Sequence, residues 1–183
     1  MYIKLTPSQV SKIGDGKFGG YMSTRLGDCD SRWMYKALAE AREAALKGEV
    51  PVGAVVVFEG GIIGKAHNQS ISGCNPAGHA EVLALQAAAK AINNYRLIGC
   101  DLFVTLEPCT MCAGAIIHSR VRRVVYGAAE PKAGAIDSVT QVLEQPQMNY
   151  RVASVGGVLA EACGGIVSDF FKRRRCQSKE KDR

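Results

Sequence analysis

An α/β fold is predicted: a three-layer α/β/α sandwich around a mixed, mostly parallel five-stranded sheet. Three observations lead there. Short runs of small, β-branched and aromatic residues alternate with longer stretches of helical periodicity, the pattern of strands covered by helices on both faces. The buried-looking strand Asp101–Leu106 is followed directly by a helix, which favours parallel pairing. Glu59-Gly60-Gly61 instead joins its two strands as a hairpin, so the sheet is mixed.

The elements follow in order. Residues 1–30 carry five scattered glycines and little periodicity, and read as a flexible extension. Ser31 can cap a helix to about Lys47, with Met34, Ala37, Leu38, Ala41 and Ala45 on one face and Lys47-Gly48 as its stop. Strands are expected at 51–58 and 62–67. The loop Asn68–Gly78 leads to a helix over 80–91, with Val82, Leu83 and Leu85 towards the core. After the strand 101–106, Pro108 at a helix start opens a helix to about His118, followed by a strand over 121–126. A short helix near 139–143, a strand at 151–155 and a last helix over 159–175 complete residues 31–175 as one domain, with 176–183 a basic tail.

Size and composition narrow the class. A chain of 183 residues buries roughly two thirds of its unfolded surface without staples. No apolar run approaches the roughly 20 residues that cross a bilayer, and the N-terminus lacks the apolar core of a secretory signal, so a cytoplasmic location and no membrane partner are expected. Seven cysteines without framework spacing argue for a reducing compartment and one metal site. The formal charge is +6, concentrated in Lys172-Arg173-Arg174-Arg175 and in Arg120, Arg122 and Arg123. Such runs are either solubilising faces or contacts for a phosphate backbone.

The chemistry gathers in Glu107-Pro108-Cys109-Thr110-Met111-Cys112 and His79-Ala80-Glu81. Cys109 and Cys112 fall on one side of a helix's first turn, where free amides and the dipole favour thiolates. With His79 they make three ligands for Zn²⁺ and leave the fourth tetrahedral position for water, as in a catalytic site. His79 and Glu81 cannot share a mid-helix face, but at a helix start both lean beyond the N-terminus. Glu81 then stands beside the water as general base, offsetting the weak acidification expected when two thiolates cancel the metal's charge.

The order H-x-E then P-C-x-x-C is the signature of zinc nucleobase deaminases, and either half alone is a weak signal. From Arg32 to Arg175 the sequence resembles bacterial tRNA-specific adenosine deaminases of the cytidine-deaminase-like superfamily. The resemblance rests on Val50-Pro51-Val52-Gly53-Ala54-Val55, Asn94-Tyr95-Arg96-Leu97, Val104 to Cys109, Met111 to Ala115, Ile117-His118-Ser119-Arg120 and Ser168-Asp169-Phe170-Phe171. It implies one zinc per subunit, a homodimer, and conversion of adenosine to inosine at the wobble position (34) in the anticodon loop of a tRNA. It also implies that Asn68 hydrogen-bonds the flipped base, Val52 lines its pocket and the Ala80 backbone orients it, with Lys132, Lys172, Arg174 and Arg175 meeting the RNA. Gly78, Glu130 and Tyr150 depart from the family's usual alanine, aspartate and histidine.

Three rivals stand beside this reading. Cys74 could close a structural Cys₃His site, which leaves Glu81 unexplained. The substrate could be free cytosine, cytidine or guanine, against which stand the basic tail and Ala113-Gly114-Ala115. The chain could also be an inactive RNA-binding subunit, against which stands an intact Glu81. His67 and His118 are expected to be structural, Trp33 to be core, and Cys29, Cys100, Cys163 and Cys176 to be ordinary thiols.

Overall fold

The computed structural model describes the backbone of residues 23–181 and side chains from 29 to 178. The order is α1 (Ser23–Leu46), β1 (Gly53–Phe58), β2 (Gly61–His67), α2 (Ala80–Ile92), β3 (Asp101–Leu106), α3 (Thr110–Ser119), β4 (Arg123–Ala128), a 3₁₀ turn (Val142–Glu144), β5 (Ala153–Val155) and α4 (Ala160–Lys181). The five strands form one sheet in the order β2-β1-β3-β4-β5. Its β3-β4-β5 half is parallel, whereas β1 runs antiparallel to both β2 and β3. At the hairpin, Glu59 and Gly60 both have positive φ, the geometry that matches strand twist.

Alternation along β1 sorts the two cores. Ala54 and Val56 face α2 and α3 in a cluster with Ala84, Leu85, Leu102, Val104, Ala113 and Ile116. Val55 and Val57 face the other way, with Met34, Ala37 and Leu38 of α1, Phe103, and Cys163 of α4. The sandwich therefore has its expected three layers. A methyl group at Gly53 would lie 2.1 Å from the Ala37 carbonyl oxygen and 2.4 Å from the Ala41 nitrogen. The absent side chain at Gly53 is what lets α1 rest against β1.

Several expected boundaries move. The first helix begins at Ser23 and Ser31 lies inside it. The longer start is anchored by Asp30, a buried carboxylate paired twice with Arg123 at 2.7 and 2.8 Å. Residues 1–22 of the expected extension lie outside the described residues. On α2 the buried face is Ala80, Glu81, Ala84, Leu85 and Ala88, with Leu83 half-buried against it. Val82 lies only partly buried on the flank, because the helix is turned to bury Glu81. The fourth strand sits two residues later than expected, and the helix expected near 139–143 is a single 3₁₀ turn. The last helix runs past Arg175 to Lys181, since no glycine or proline stops it, so most of the expected tail is helical and 182–183 lie outside the described residues.

The cluster Arg120, Arg122 and Arg123 is not a free phosphate surface. Arg122 binds Asp101 through two 2.8 Å bonds, and Arg123 joins Asp101 to Asp30. Arg120 is the left-handed cap of α3 and lies over the Tyr150 ring.

Candidate metal centre and active site

Two helix starts meet at the site. His79 is the N-cap of α2 and Cys109 the N-cap of α3, both with extended backbone, so their side chains project beyond the first turns. Pro108 thus stands one residue before the cap and not at the first helical position. Cys112 follows in the first turn of α3 and is fully buried. The His79 Nδ1 lies 3.7 Å from Cys109 Sγ and 3.5 Å from Cys112 Sγ.

These spacings fit a metal. Tetrahedral zinc with ordinary bond lengths sets nitrogen and sulfur ligands about 3.6 Å apart. All three ligand atoms lie within 4.8 Å of one another, and this is the one such group among the described residues. Cys74 is not part of it. Its exposed thiol instead faces the Ile71 carbonyl at 3.8 Å, so the closed four-ligand site finds no support.

The electrostatics suit a soft cation. The adjoining Cys112 thiol and the His79 ring push the Cys109 thiol down to about 3, against the opposing effect of burial. Cys112 is driven the other way by the neighbouring Cys109 thiolate, by burial and by Glu81. His79 is raised, chiefly by Cys109. One proton is therefore shared unevenly by the thiol pair, and a bound cation would displace it. Burial pushes the Glu81 carboxyl up, offset in part by its own backbone amide, His79 and Cys112. A carboxyl held near its proton in this way is suited to take and return one.

Val52, Asn68 and Ala80 form a chain of hydrogen bonds beside the cluster. The Asn68 backbone donates to the Val52 carbonyl at 3.1 Å, and its side-chain oxygen accepts the Ala80 N–H at 2.8 Å. All three residues are buried. The Ala80 N–H is thereby committed to Asn68, while the Asn68 side-chain nitrogen has no bond among the described residues.

The cationic candidates divide. Lys132 is exposed on the loop between β4 and the 3₁₀ turn, whose Gly134 pairs with Cys109. Lys172, Arg174 and Arg175 are exposed on α4, on the opposite face of the sheet from α2 and α3. Arg174 stacks over Phe170 and lines a groove with Arg173, Leu46 and Gly48.

Sequence reasoning gave no role to two carboxylates, Glu107, which opens the cysteine motif, and Glu49. Glu107, buried at the end of β3, accepts five hydrogen bonds from the loop 130–138. Against desolvation, which alone would raise it, these donors, led by the Ser138 hydroxyl, hold it down at about 2. A charged residue ending an apolar strand was the available signal. Glu49 accepts the Ile71 and Ser72 amides at 3.1 and 2.7 Å and fixes the loop between Asn68 and His79. His67 is structural as expected, held between Glu40 and Lys47 at 3.2 and 3.1 Å. Trp33 packs half-buried against the α1 core, and His118 is exposed in the last turn of α3.

The family described as MafB19-like deaminase matches residues 29–175. A tRNA-specific adenosine deaminase of Bacillus subtilis (strain 168) is 45% identical over 150 residues, 82% of this chain and 93% of that protein. The chain belongs to the tRNA-specific adenosine deaminase family. A deaminase of the same description from Haemophilus influenzae is 48% identical over 151 residues, covering 82% of this deaminase and 87% of its relative. A solved structure described as a study of A-to-I editing by tRNA:A34 deaminases aligns with TM-score 0.73 and 40% identity, over 74% of this chain and 99% of that one. The deaminase fold is thus cytidine-deaminase-like, with the His79, Cys109 and Cys112 cluster at its two helix starts.

Proposed function

We propose that this protein hydrolyses adenosine to inosine at wobble position 34 of a tRNA anticodon. The observation that carries this reading is the spacing of His79, Cys109 and Cys112 beside a buried Glu81. The relatives' descriptions support the substrate.

His79, Cys109 and Cys112 would hold one zinc ion, which supplies Lewis acidity to water when bound. The remaining steps belong to the chain. Glu81 takes a proton from the attacking water as its oxygen bonds to adenine C6, and passes it to ring N1. It then takes the second proton from the new C6 hydroxyl and gives it to the amine, so that the C6–N bond breaks, ammonia leaves and the C6 carbonyl of inosine remains. Asn68 donates its side-chain N–H to the base, Val52 forms the pocket wall, and the Ala80 N–H keeps Asn68 in that orientation. The base must leave its stack to enter, which costs least in a single-stranded loop.

Lys132, Lys172, Arg174 and Arg175 supply cations for the RNA backbone. The protein acts as a cytoplasmic homodimer, with residues 31–175 as its deaminase domain. Among the described residues no helix is long and apolar enough to cross a membrane.

The test is incubation of purified zinc-loaded protein with total tRNA and, in parallel, with free adenosine, guanine and cytidine. Inosine at position 34 supports the proposal. Turnover of a free base with intact tRNA overturns it.

A further inference from the structure

Between Ala129 and Gln141 the chain has neither helix nor strand, yet its middle is buried. Gly134, Ala135 and Ile136 lie inside, while Pro131, Lys132 and Ala133 form an exposed tip. Backbone N–H groups in such a segment need acceptors, and one side chain takes four of them from both flanks of the tip. Glu107 takes the amides of Glu130 at 2.9 Å, Ile136 at 3.1 Å, Asp137 at 2.8 Å and Ser138 at 2.9 Å, together with the Ser138 hydroxyl. A Cβ on Gly134 would lie 2.4 Å from the same carboxylate, so loop and acid are fitted face to face.

The loop is also bound to the metal-ligand segment. The Ala135 amide donates to the Pro108 carbonyl at 2.8 Å, and Gly134 bridges to Cys109. The tip has its own closure, from the Gly134 amide to the Glu130 carbonyl at 2.8 Å and the Lys132 amide to the Glu130 carboxylate at 3.0 Å. Cys109 is therefore tied to the Lys132 tip by two routes, one through backbone contacts at Gly134 and Ala135 and one through the Glu107 carboxylate, and Glu107 is the side chain that fastens both flanks of the tip, at Glu130 and at residues 136–138. Tyr126 adds a further tie by donating to Asp137.

We infer that Glu107 is a positioning residue for the substrate, fixing the Lys132 cation relative to Cys109 so that one phosphate is gripped at a set place beside the reacting base. The inference rests on the reading of Lys132 as an RNA contact. A purely structural Glu107 would support the fold without tying the energetics of Lys132 to Ser138.

Glu107→Gln risks misfolding, so Ser138→Ala carries the test, with Ser138→Thr as the conservative control. The zinc-loaded full chain is assayed on an anticodon stem-loop RNA, alone and combined with Lys132→Ala. Ser138→Ala should raise KM about fivefold and Lys132→Ala about tenfold, with the double variant staying near tenfold because the two act through one contact. Ser138→Thr should restore the KM. Effects that multiply, or a fall in kcat at unchanged KM, overturn the inference. The same coupling is read in RNA binding without turnover. Coupled binding without inosine would defeat the proposed reaction and leave the positioning intact, whereas inosine formation with independent effects would defeat the positioning alone.

Discussion

The Asn68 side-chain oxygen accepts the Ala80 N–H at 2.8 Å, tying the residue after β2 to the first residue of α2. Because Ala80 lies between His79 and Glu81, this bond sets the proposed base pocket against the candidate metal centre. Asn68→Asp keeps the acceptor and loses the donor; Asn68→Ala loses both. Both should lower kcat/KM by about 100-fold, whereas only Asn68→Ala should lose about 1–2 kcal/mol of stability. Steady-state kinetics and thermal unfolding separate the two effects, and equal loss of stability in both would count against the assignment.

Glu81 contributes no ligand atom to the cluster. Glu81→Ala should therefore bind zinc at the wild-type ratio and lose at least about 10³-fold in kcat, within the range for a general acid–base group. Metal analysis alongside inosine formation checks this, and substantial turnover would refute the role.

Cys112 is in the cluster and Cys74 is not. Cys74→Ser should retain zinc through dialysis, while Cys112→Ser should lose it. Chelation of the wild type should abolish activity and added zinc restore it. Loss of metal from Cys74→Ser would revive the closed-site reading.

Glu49 bears on acid stability. Burial alone would raise its carboxyl, but the Ser72 and Ile71 amides outweigh that and hold it below the ordinary range. A lowered folded pKa gives stability that is present above the unfolded value of about 4.3 and lost as pH falls through the folded one. Glu49→Gln should be about 2 kcal/mol less stable at pH 7 and show a shallower decline below about pH 5. Denaturant titrations across pH measure both, and parallel curves would remove Glu49 from the account.

At Gly53 the prediction is steric. Gly53→Ala forces its methyl into the α1 backbone, and should cost about 3 kcal/mol or prevent folding. Gly61→Ala, with only the Phe58 carbonyl oxygen 3.7 Å from the added carbon, is the control.

The chemistry was more legible than its support. His79, Glu81, Cys109 and Cys112 can be read from local spacing, because each pair sits at a helix start whose geometry is fixed within a few residues. The strand Asp101–Leu106 was legible for the same reason, with an apolar run at Leu102-Phe103-Val104 and Leu106 and punctuation on both sides. Glu107 and Glu49 were not, since their partners arrive from residues 130–138 and 71–72 and no local pattern links them. Arg123 misled for a related reason: a cation in a basic run looks free until the fold brings Asp30 and Asp101 to it. The extended start of α1 was hidden by the same distant pair.

His79 and Cys109 are 30 residues apart, yet their side chains meet at two helix starts. An ion held there is a cross-link over everything between, including all of β3. Its departure would free two helix ends at once without dissolving either core, so metal loss and local fraying are a single event. Amide exchange at the openings of α2 and α3 would register metallation directly, well before the whole molecule unravels.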